Sequence, residues 1–348
     1  FAKDGLYMAR SFETGWQQIY FLSYDGKSLK RLTDGPNWRI VLRKYDEKKG
    51  DVYFIAQRDS RVYSSFYKLT KKGKIVRLSP EGYNVEKAWF TRDMRNVYCK
   101  LSNCRTMTFE WSSRAPGSIK AEEDSTCMAL PRVVSIKAAD GQDMFGLLLL
   151  PKNFAPACRY PVPFRSAAHT GRAGTDLVFK DLTTVPVQDF VTWAEWAGSL
   201  PYVDAAHMGV EGFSFGGTMT AMLLLRHPEL FCCGIAGGGV YDWELYDSHY
   251  TERFMLTPDL NHEGFEKSKV LNYAEMLQND VHLKLTHGTG DDNVHFQNTL
   301  QLVDALQQAG RQFELMIYPD GMHGYRGRQG AHSKDADHIF WLKYLKNQ

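Results

Sequence analysis

A short strand-like segment recurs three times in the first third of the chain. The copies are Leu6-Tyr7-Met8, Val52-Tyr53-Phe54 and Val97-Tyr98-Cys99, which lie 46 and then 45 positions apart. Self-similarity at a fixed period of this size indicates repeated β-sheet or helical units rather than one irregular domain. The aromatic and β-branched residues in each copy favour strands.

A second set of segments recurs along the chain with the same spacing. Residues 19–24 lead through a glycine turn to residues 31–33, and residues 66–69 lead through another to residues 77–79. Each pair predicts two strands joined by a tight turn. A period of about 45 residues is typical of a four-stranded β-propeller blade, with a β-sandwich of accidental similarity as the alternative. Since a ring needs at least four blades, the propeller interpretation places earlier blades upstream of Phe1.

Length and composition fit two domains. The chain has 348 residues, of which 43% are hydrophobic and 13% aromatic, which is enough for two cores. Around residues 113–124 the repeat gives way to Arg-Ala-Pro-Gly-Ser and an acidic run, a composition typical of a connecting loop. We therefore predict partial β-propeller blades over residues 1–124 and a second domain over residues 125–348.

Charge and cysteine usage narrow the class of partner. The 42 basic and 40 acidic side chains nearly cancel, so there is no electrostatic reason to expect a nucleic-acid partner. The six cysteines show no CxxC spacing, which argues against a structural metal. No stretch approaches the roughly 18 apolar residues of a membrane span. The chain begins with Phe1 rather than Met, which leaves an upstream signal or anchor open.

The second domain opens with a predicted hairpin and then alternates strands and helices. Residues 132–137 and 145–151 flank a turn at Asp140-Gly141, and the apolar return strand predicts burial. Residues 189–200 have helical spacing of apolar positions, and residues 207–210 form a short strand directly before the sequence Gly-Phe-Ser-Phe-Gly-Gly at residues 212–217. A helix pattern follows.

This strand, turn and helix is the context of a Gly-x-Ser-x-Gly nucleophile elbow in an α/β-hydrolase domain. The elbow makes Ser214 the candidate nucleophile, and we expect side chains at Gly212 and Gly216 to collide with neighbouring backbone. The helix N-terminus favours a developing oxyanion.

A serine hydroxyl needs a base and an orienting acid, which follow the serine in that fold in the order Asp, His. Asp291 lies in a polar loop after the strand over residues 281–288, and His323 follows the strand over residues 313–318. Both positions are at strand ends, where the acid and base of this fold belong. The pattern therefore predicts a Ser214–Asp291–His323 triad.

Imidazoles and carboxylates also cluster around this acid. They allow a metal site as an alternative, although the spacing fits no established ligand pattern. The residues concerned are His282, His287, Asp291, Asp292 and His295.

With these residues in place, the second domain resembles the prolyl oligopeptidase family of serine peptidases and, within it, the dipeptidyl peptidase IV branch. The resemblance covers most of residues 130–348 and is carried by residues 212–217, 246–253 and 287–296. The family has an N-terminal β-propeller, which matches the repeat. The resemblance implies the same triad, with Asp291 rather than Asp292 as the acid, and the backbone N–H of Phe215 as an oxyanion donor.

The resemblance also implies a hydrophobic pocket for the residue before the cleaved bond, with an amide beside it to hold a substrate carbonyl. An aromatic box suits a proline ring, which is compact, apolar and without an N–H. Membership of an ordinary core is the alternative for these aromatic residues. The pocket residues are Val240, Trp243, Tyr246, Tyr250 and Val294, and the amide is that of Asn293.

Two departures from the family pattern stand out. Phe215 replaces the tyrosine that usually follows the nucleophile, which removes a hydroxyl but keeps the backbone donor. After Phe164 the family continues with a strand and a loop whose tyrosine completes the oxyanion site, but here Arg165 follows. Either a segment is missing between these two residues, or the protein lacks this donor at a cost of roughly 100-fold to 1000-fold in rate.

The expected activity is that of a serine exopeptidase that releases Xaa-Pro or Xaa-Ala dipeptides without metal or organic cofactor. A tripeptidyl or acylaminoacyl peptidase is the nearest variant, and a non-catalytic peptide-binding protein is the alternative of another class. No motif in residues 1–120 matches the glutamates that bind a substrate amino terminus in dipeptidyl peptidases. A homodimer and an exported location are implied by the resemblance alone.

Overall fold

The computed structural model describes residues 1–11, 13–104, 106–114, 132–149 and 170–345. Two compact units divide the chain. The first comprises Phe1–Lys137 and Asp143–Leu177, and the second Ala138–Gln142 and Val178–Gln348. The predicted boundary between residues 124 and 125, and the junction of Phe164 and Arg165, lie outside the described residues.

The first ten strands of the first unit form three antiparallel sheets in which sequence neighbours pair, and the unit also contains the two-stranded sheet of β11 (Arg132–Lys137) and β12 (Asp143–Leu148). The central strand segments of the repeat fall in equivalent places, in β1, β5 and β9, and each of these strands pairs with the next one along the chain. The predicted pairs of strands joined by a turn are confirmed, because β2 pairs with β3 and β6 pairs with β7. The strands are β1 Gly5–Arg10, β2 Gln18–Ser23, β3 Leu29–Arg31, β4 Trp38–Asp46, β5 Asp51–Gln57, β6 Ser65–Leu69, β7 Ile75–Arg77, β8 Asn84–Phe90, β9 Val97–Asn103 and β10 Thr106–Ser112.

The sheet of β4 to β7 is covered on both faces, and every residue of β5 is buried. Because alternate side chains of a strand point to opposite faces, β5 contributes to two cores. Phe54 packs with Ile19 of β2 in one core, while Tyr53 packs with Leu101 of β9 in the other. The three sheets are therefore stacked face to face through apolar layers.

The predicted hairpin is present as β11 Arg132–Lys137 paired with β12 Asp143–Leu148. Its turn contains Gly141 at φ +80°, a conformation that favours glycine. In β12 only alternate residues, including Met144 and Leu148, are buried. Within the described part of the return strand, the predicted burial is therefore confirmed at alternate positions, and the positions between them are partly buried.

The second unit contains a four-stranded parallel sheet in the order β13, β14, β15, β16. Helices and short 3-10 turns connect the strands, so the carboxyl ends of all four strands lie at one edge. The strands are β13 Gly209–Phe213, β14 Cys233–Gly237, β15 His282–Gly288 and β16 Glu314–Tyr318. The helices are α1 Gly171–Asp176, which belongs to the first unit, and α2 Thr184–Gly198, α3 Phe215–Arg226, α4 Ser248–Met255, α5 His262–Ser268, α6 Gln297–Gln308 and α7 Gly327–Tyr344.

Helix α3 follows the predicted elbow and lies at the centre of this unit. All its residues from Gly217 to Leu225 are buried, and they share one core with Val187 of α2, Leu285 of β15 and Leu302 of α6. A helix that is apolar all round needs cover on every side. Within the described residues, no helix is long and apolar enough to cross a membrane.

A buried lysine ties the sheet to α7. Lys284 on β15 donates from Nζ to Asp337 Oδ1 at 2.9 Å. The lysine side chain is 4% exposed, whereas the aspartate side chain is 28% exposed. The ammonium also lies 5.9 Å from the centre of the Phe340 ring. The two partners of this ion pair therefore differ in their access to water.

Replacing Asp337 should lower the free energy of unfolding more than replacing Lys284, because the buried lysine would then lack its partner. We expect Asp337→Asn to lower the free energy of unfolding by about 3 kcal/mol, because it leaves a buried ammonium unpaired. Lys284→Met should cost about 1 kcal/mol, because Asp337 can still reach water and the methionine keeps the contact with Phe340. Urea unfolding of both single variants and the double variant measures the difference, and equal losses in the two single variants would contradict this account.

Candidate active site

Ser214 occupies a sharp corner between β13 and α3. Its backbone lies at φ 60° and ψ −125°, a region that costs a residue other than glycine about 1–3 kcal/mol. Hydrogen bonds hold the corner: the Ser214 N–H donates to the Gly237 carbonyl at 2.8 Å, and the Thr218 N–H donates to the Ser214 carbonyl at 3.1 Å. The serine side chain does not cap its own helix. Strain at a partly exposed serine is typical of a functional position.

The glycines around Ser214 are not equivalent. A Cβ atom at Gly212 would lie 2.2 Å from the Gly216 carbonyl oxygen, and one at Gly217 would lie 2.5 Å from the Gly237 carbonyl oxygen. A Cβ at Gly216 would meet nothing within 4 Å. The expected collision is therefore confirmed for Gly212 and wrong for Gly216, because Gly216 contributes its carbonyl to the contact while its own Cβ direction is open.

Asp291 and His323 are in direct contact at the carboxyl edge of the sheet. Asp291 Oδ2 accepts a hydrogen bond from His323 Nδ1 at 2.8 Å. Its Oδ1 accepts the backbone N–H groups of Asn293 and Val294, both at 3.0 Å. The Asp291 side chain is completely buried and that of His323 is 21% exposed. Asp292 points to solvent, so the structure brings Asp291 rather than Asp292 to the histidine.

The serine corner packs against the histidine loop through its neighbour Phe213. The Phe213 ring lies 5.0 Å from the His323 ring and 5.7 Å edge-on from the Tyr325 ring. Tyr325 is anchored by a hydrogen bond from its hydroxyl to Thr286 Oγ1 at 3.0 Å. The strand-end loops that carry Ser214, Asp291 and His323 thus meet at one edge of the sheet. With Nδ1 bonded to Asp291, a neutral His323 keeps the lone pair of Nε2 for a proton.

The backbone N–H of Phe215 lies at the start of α3, since Phe215 is the first residue of that helix. This is the positive end of the helix dipole, which stabilises negative charge. Trp243 lies 6.0 Å from the Phe215 ring, so the residue after Ser214 also forms part of an aromatic wall.

The aromatic residues of the predicted pocket form one cluster. Trp243 stacks on Tyr250 at 6.0 Å and meets Tyr246 edge-on at 5.8 Å. Asp247 caps α4 by accepting the Tyr250 N–H at 2.8 Å, which fixes the start of that helix. Burial raises the pKa of Tyr246, and its hydroxyl donates to Asn293 Oδ1 at 2.8 Å.

The predicted pocket residues divide between core and surface. Val240, Trp243 and Val294 are buried members of one apolar core. Tyr250 and Asn293 are exposed, and Tyr246 is partly so. The buried members therefore also serve as core, as the alternative interpretation held, while the two tyrosines and the asparagine form an accessible rim.

Two polar residues at the start of α6 were not predicted. Asn298 is fully buried and accepts the backbone N–H groups of Tyr241 and Asp242 on Oδ1, at 3.0 and 3.2 Å. Thr299, also fully buried, bonds to His287. They hold the segment before Trp243 and the Asp291 loop. Adjacent polar residues on the inner face of an amphipathic helix were the available signal.

The alternative metal cluster does not assemble. His282 stacks on Tyr344 at 3.9 Å, and Asp292 and His295 are exposed. Within the parts of the chain that the structure describes, no group of three or more His, Cys, Asp or Glu side chains could hold a metal ion.

Comparison with known proteins identifies the family. A model of the prolyl oligopeptidase family matches residues 162–348, and a model of the dipeptidyl peptidase IV (DPP IV) N-terminal region matches residues 1–108. The α/β-hydrolase part thus lies in the second half of the chain and the N-terminal region matches the other part of a two-domain architecture. The chain belongs to the prolyl oligopeptidase family, and its N-terminal match relates it to the dipeptidyl peptidase IV branch.

Individual relatives agree. A probable dipeptidyl-aminopeptidase B of Talaromyces marneffei is 42% identical over 161 residues, which is 46% of this chain and 18% of that protein. One from Arthroderma gypseum is 29% identical over 375 aligned positions, covering 92% of this chain and 41% of that protein. The crystal structure of Porphyromonas gingivalis dipeptidyl peptidase 4 superposes with a TM-score of 0.87 at 27% identity, covering 98% of this chain and 55% of that one.

The chain therefore spans half or less of the length of these two fungal relatives. The Arthroderma alignment has more positions than the whole chain has residues, so that relative carries internal residues without a counterpart here. This agrees with the expectation of absent family residues, although the position of the gap stays a prediction.

Substitution of the three elbow glycines should separate backbone collision from helix preference. Gly212→Ala and Gly217→Ala should each destabilise the second unit by about 2 kcal/mol, because their Cβ atoms overlap with backbone that cannot move independently. Gly216→Ala should be neutral or stabilise by up to about 1 kcal/mol, since alanine favours helix. Thermal unfolding of the three variants measures this, and a Gly216→Ala loss equal to the other two would refute it.

Proposed function

We propose that this protein is a serine exopeptidase that removes dipeptides ending in proline or alanine from peptide amino termini. The observation that carries the proposal is the 2.8 Å hydrogen bond between Asp291 and His323 beside the strained corner of Ser214. Strain at a serine and a buried carboxylate oriented toward a histidine are two of the elements that an acyl-transfer site requires.

The chemistry follows from the donors and acceptors. Ser214 Oγ attacks the carbonyl carbon of the substrate while His323 Nε2 takes the hydroxyl proton. The imidazolium so formed is stabilised by Asp291, and it returns the proton to the leaving amine as the C–N bond breaks. Water then hydrolyses the acyl-enzyme by the same proton route. The helix N-terminus at Phe215 stabilises the oxyanion.

Substrate preference is proposed to come from the aromatic cluster. Trp243, Tyr246 and Tyr250 offer flat apolar surfaces, against which a proline ring packs without leaving an N–H unpaired. Asn293 Oδ1 is engaged by the Tyr246 hydroxyl, which orients the amide so that its N–H groups are available as donors to a substrate carbonyl.

The exopeptidase part of the proposal is supported by the names of the relatives, which are dipeptidyl peptidases or dipeptidyl-aminopeptidases. A tripeptidyl or acylaminoacyl peptidase shares the same chemistry and differs in how the amino end of the substrate is accommodated. We also propose that the three stacked sheets are blades of a β-propeller, that the domain boundary lies near residue 124, and that the protein forms a homodimer. Sedimentation equilibrium tests the last point.

Substrates that differ only in a blocked amino group test the exopeptidase assignment. We expect hydrolysis of Gly-Pro-p-nitroanilide but not of its N-acetyl form, because a free amino terminus must be recognised. Ser214→Ala should abolish release. Equal rates with both substrates would favour an acylaminoacyl or endopeptidase activity. Failure of Ser214 to react with a fluorophosphonate would favour the peptide-binding alternative.

Asp291 should affect kcat by determining which tautomer His323 adopts. Asp291→Asn replaces an acceptor with an amide that can donate toward Nδ1 of His323, which favours the wrong tautomer. We expect kcat to fall by about 10,000-fold, as such substitutions do in serine peptidases, with unfolding changed far less. Asp292→Asn, next in the chain and exposed, is the matched control and should keep wild-type kcat. A similar loss in both variants would remove the assignment of Asp291.

A further inference from the structure

His287 is a fully buried titratable group that the proposed mechanism does not use. It lies near the end of β15, and its side chain has no exposed surface. Nδ1 is 2.6 Å from Thr299 Oγ1 on α6, and Nε2 is 2.8 Å from the Val294 carbonyl oxygen. Nε2 also lies 3.5 Å from Asp291 Oδ2. The ring thus touches a strand-end loop, a helix and the candidate acid.

These neighbours determine which nitrogen carries the proton. The Val294 carbonyl and the Asp291 carboxylate can only accept hydrogen bonds, so Nε2 must be the N–H. Nδ1 then has the lone pair and accepts a hydrogen bond from the Thr299 hydroxyl. Burial lowers the pKa of His287, with Asp291 and His323 as the titratable groups whose charges act on it. The ring is therefore neutral at neutral pH, in one tautomer.

We infer that His287 is a positioning residue, whose Nε2–H bond to the Val294 carbonyl holds the turn of residues 291–294 closed around the Asp291 carboxylate, so that Oδ2 stays directed at His323. The inference rests on the proposed function, which gives Asp291 its role. At 2.8 Å the bond to Val294 is the strong one. The separation of 3.5 Å between Nε2 and Asp291 Oδ2 is too long for a hydrogen bond, and the N–H acts on the carboxylate as a nearby dipole.

The geometry of the loop shows why the hydrogen bond from His287 to the Val294 carbonyl is needed. The Val294 N–H already donates to Asp291 Oδ1, so residues 291–294 close a tight turn around the carboxylate. Without a donor, the buried Val294 carbonyl would be unpaired, which costs about 1–3 kcal/mol. The turn would then gain by opening toward water, and the carboxylate would move with it.

Two substitutions separate this role from simple core packing. His287→Leu fills a similar volume but has no N–H, whereas His287→Gln can place an amide N–H near the position of Nε2. Thr299→Ser keeps the hydroxyl that fixes the tautomer and Thr299→Val removes it. His295→Leu, an exposed histidine in the same loop, is the matched control. Fluorophosphonate labelling of Ser214 counts competent sites, so a misfolded fraction does not enter the rates.

We expect His287→Leu to lower kcat per labelled site by about tenfold, the size found when hydrogen bonds supporting active-site groups are removed. His287→Gln and Thr299→Ser should restore kcat per site toward wild type, Thr299→Val should fall between, and His295→Leu should match wild type. Wild-type kcat per site in His287→Leu would overturn the inference.

A proton NMR spectrum tests the inference without a measurement of turnover. The proton between His323 Nδ1 and Asp291 should give a downfield resonance in wild type and His287→Gln, and the resonance should be lost in His287→Leu. Persistence in all three proteins overturns the inference. If wild type hydrolyses no peptide substrate, the proposed function fails on that result alone, and this resonance still decides the role of His287.

Discussion

The buried carboxylate of Asp291 is the constraint on which the site depends. Its oxygens are met by the N–H groups of Asn293, Val294 and His323. Burying an unpaired carboxylate costs several kcal/mol, so the turn after β15 and the loop after β16 must close together. The parallel pairing of these two strands sets their carboxyl ends side by side. The sheet register thus allows the proposed acid, Asp291, to reach the proposed base, His323.

Whereas hydrogen bonds stabilise the Asp291 carboxylate, the backbone at Ser214 is strained and must be held by the surrounding structure. Local sequence preference does not hold a serine at φ 60°. The corner is held by its bond to Gly237 on β14 and by the burial of α3 on every side. Burying a large apolar side chain contributes about 1.5–3 kcal/mol, so a few residues such as Leu224 offset the strain. The core of the second unit therefore stabilises the geometry of the proposed nucleophile.

Much of this site could be predicted from the sequence, since chain order and strand ends are visible there. Asp291 and His323 follow strands whose ends share one edge, and both strands lie within a residue of their predicted limits. The role of His287 could not be predicted, because it requires α6 to bring Thr299 over β15. Gly216 was misjudged for a related reason: a sequence pattern marks close backbone but does not give the direction in which a Cβ would point.

In the first unit, recurrence of segments along the chain predicts strands that the alternation of apolar and polar residues does not reveal. A strand covered on both faces, such as β5, has no polar face, so its period of two is lost and only recurrence along the chain remains as a signal. The same double cover places the middle sheet between two separate apolar cores, as in a stack of units that pack on their neighbours. Phe54 belongs to the core shared with β2, and Tyr53, the residue before it, to the core shared with β9. Phe66 and Tyr67 of β6 divide between the two cores in the same way. Adjacent residues of β5 and of β6 thus couple the middle sheet to different partners, and the middle sheet joins the two cores.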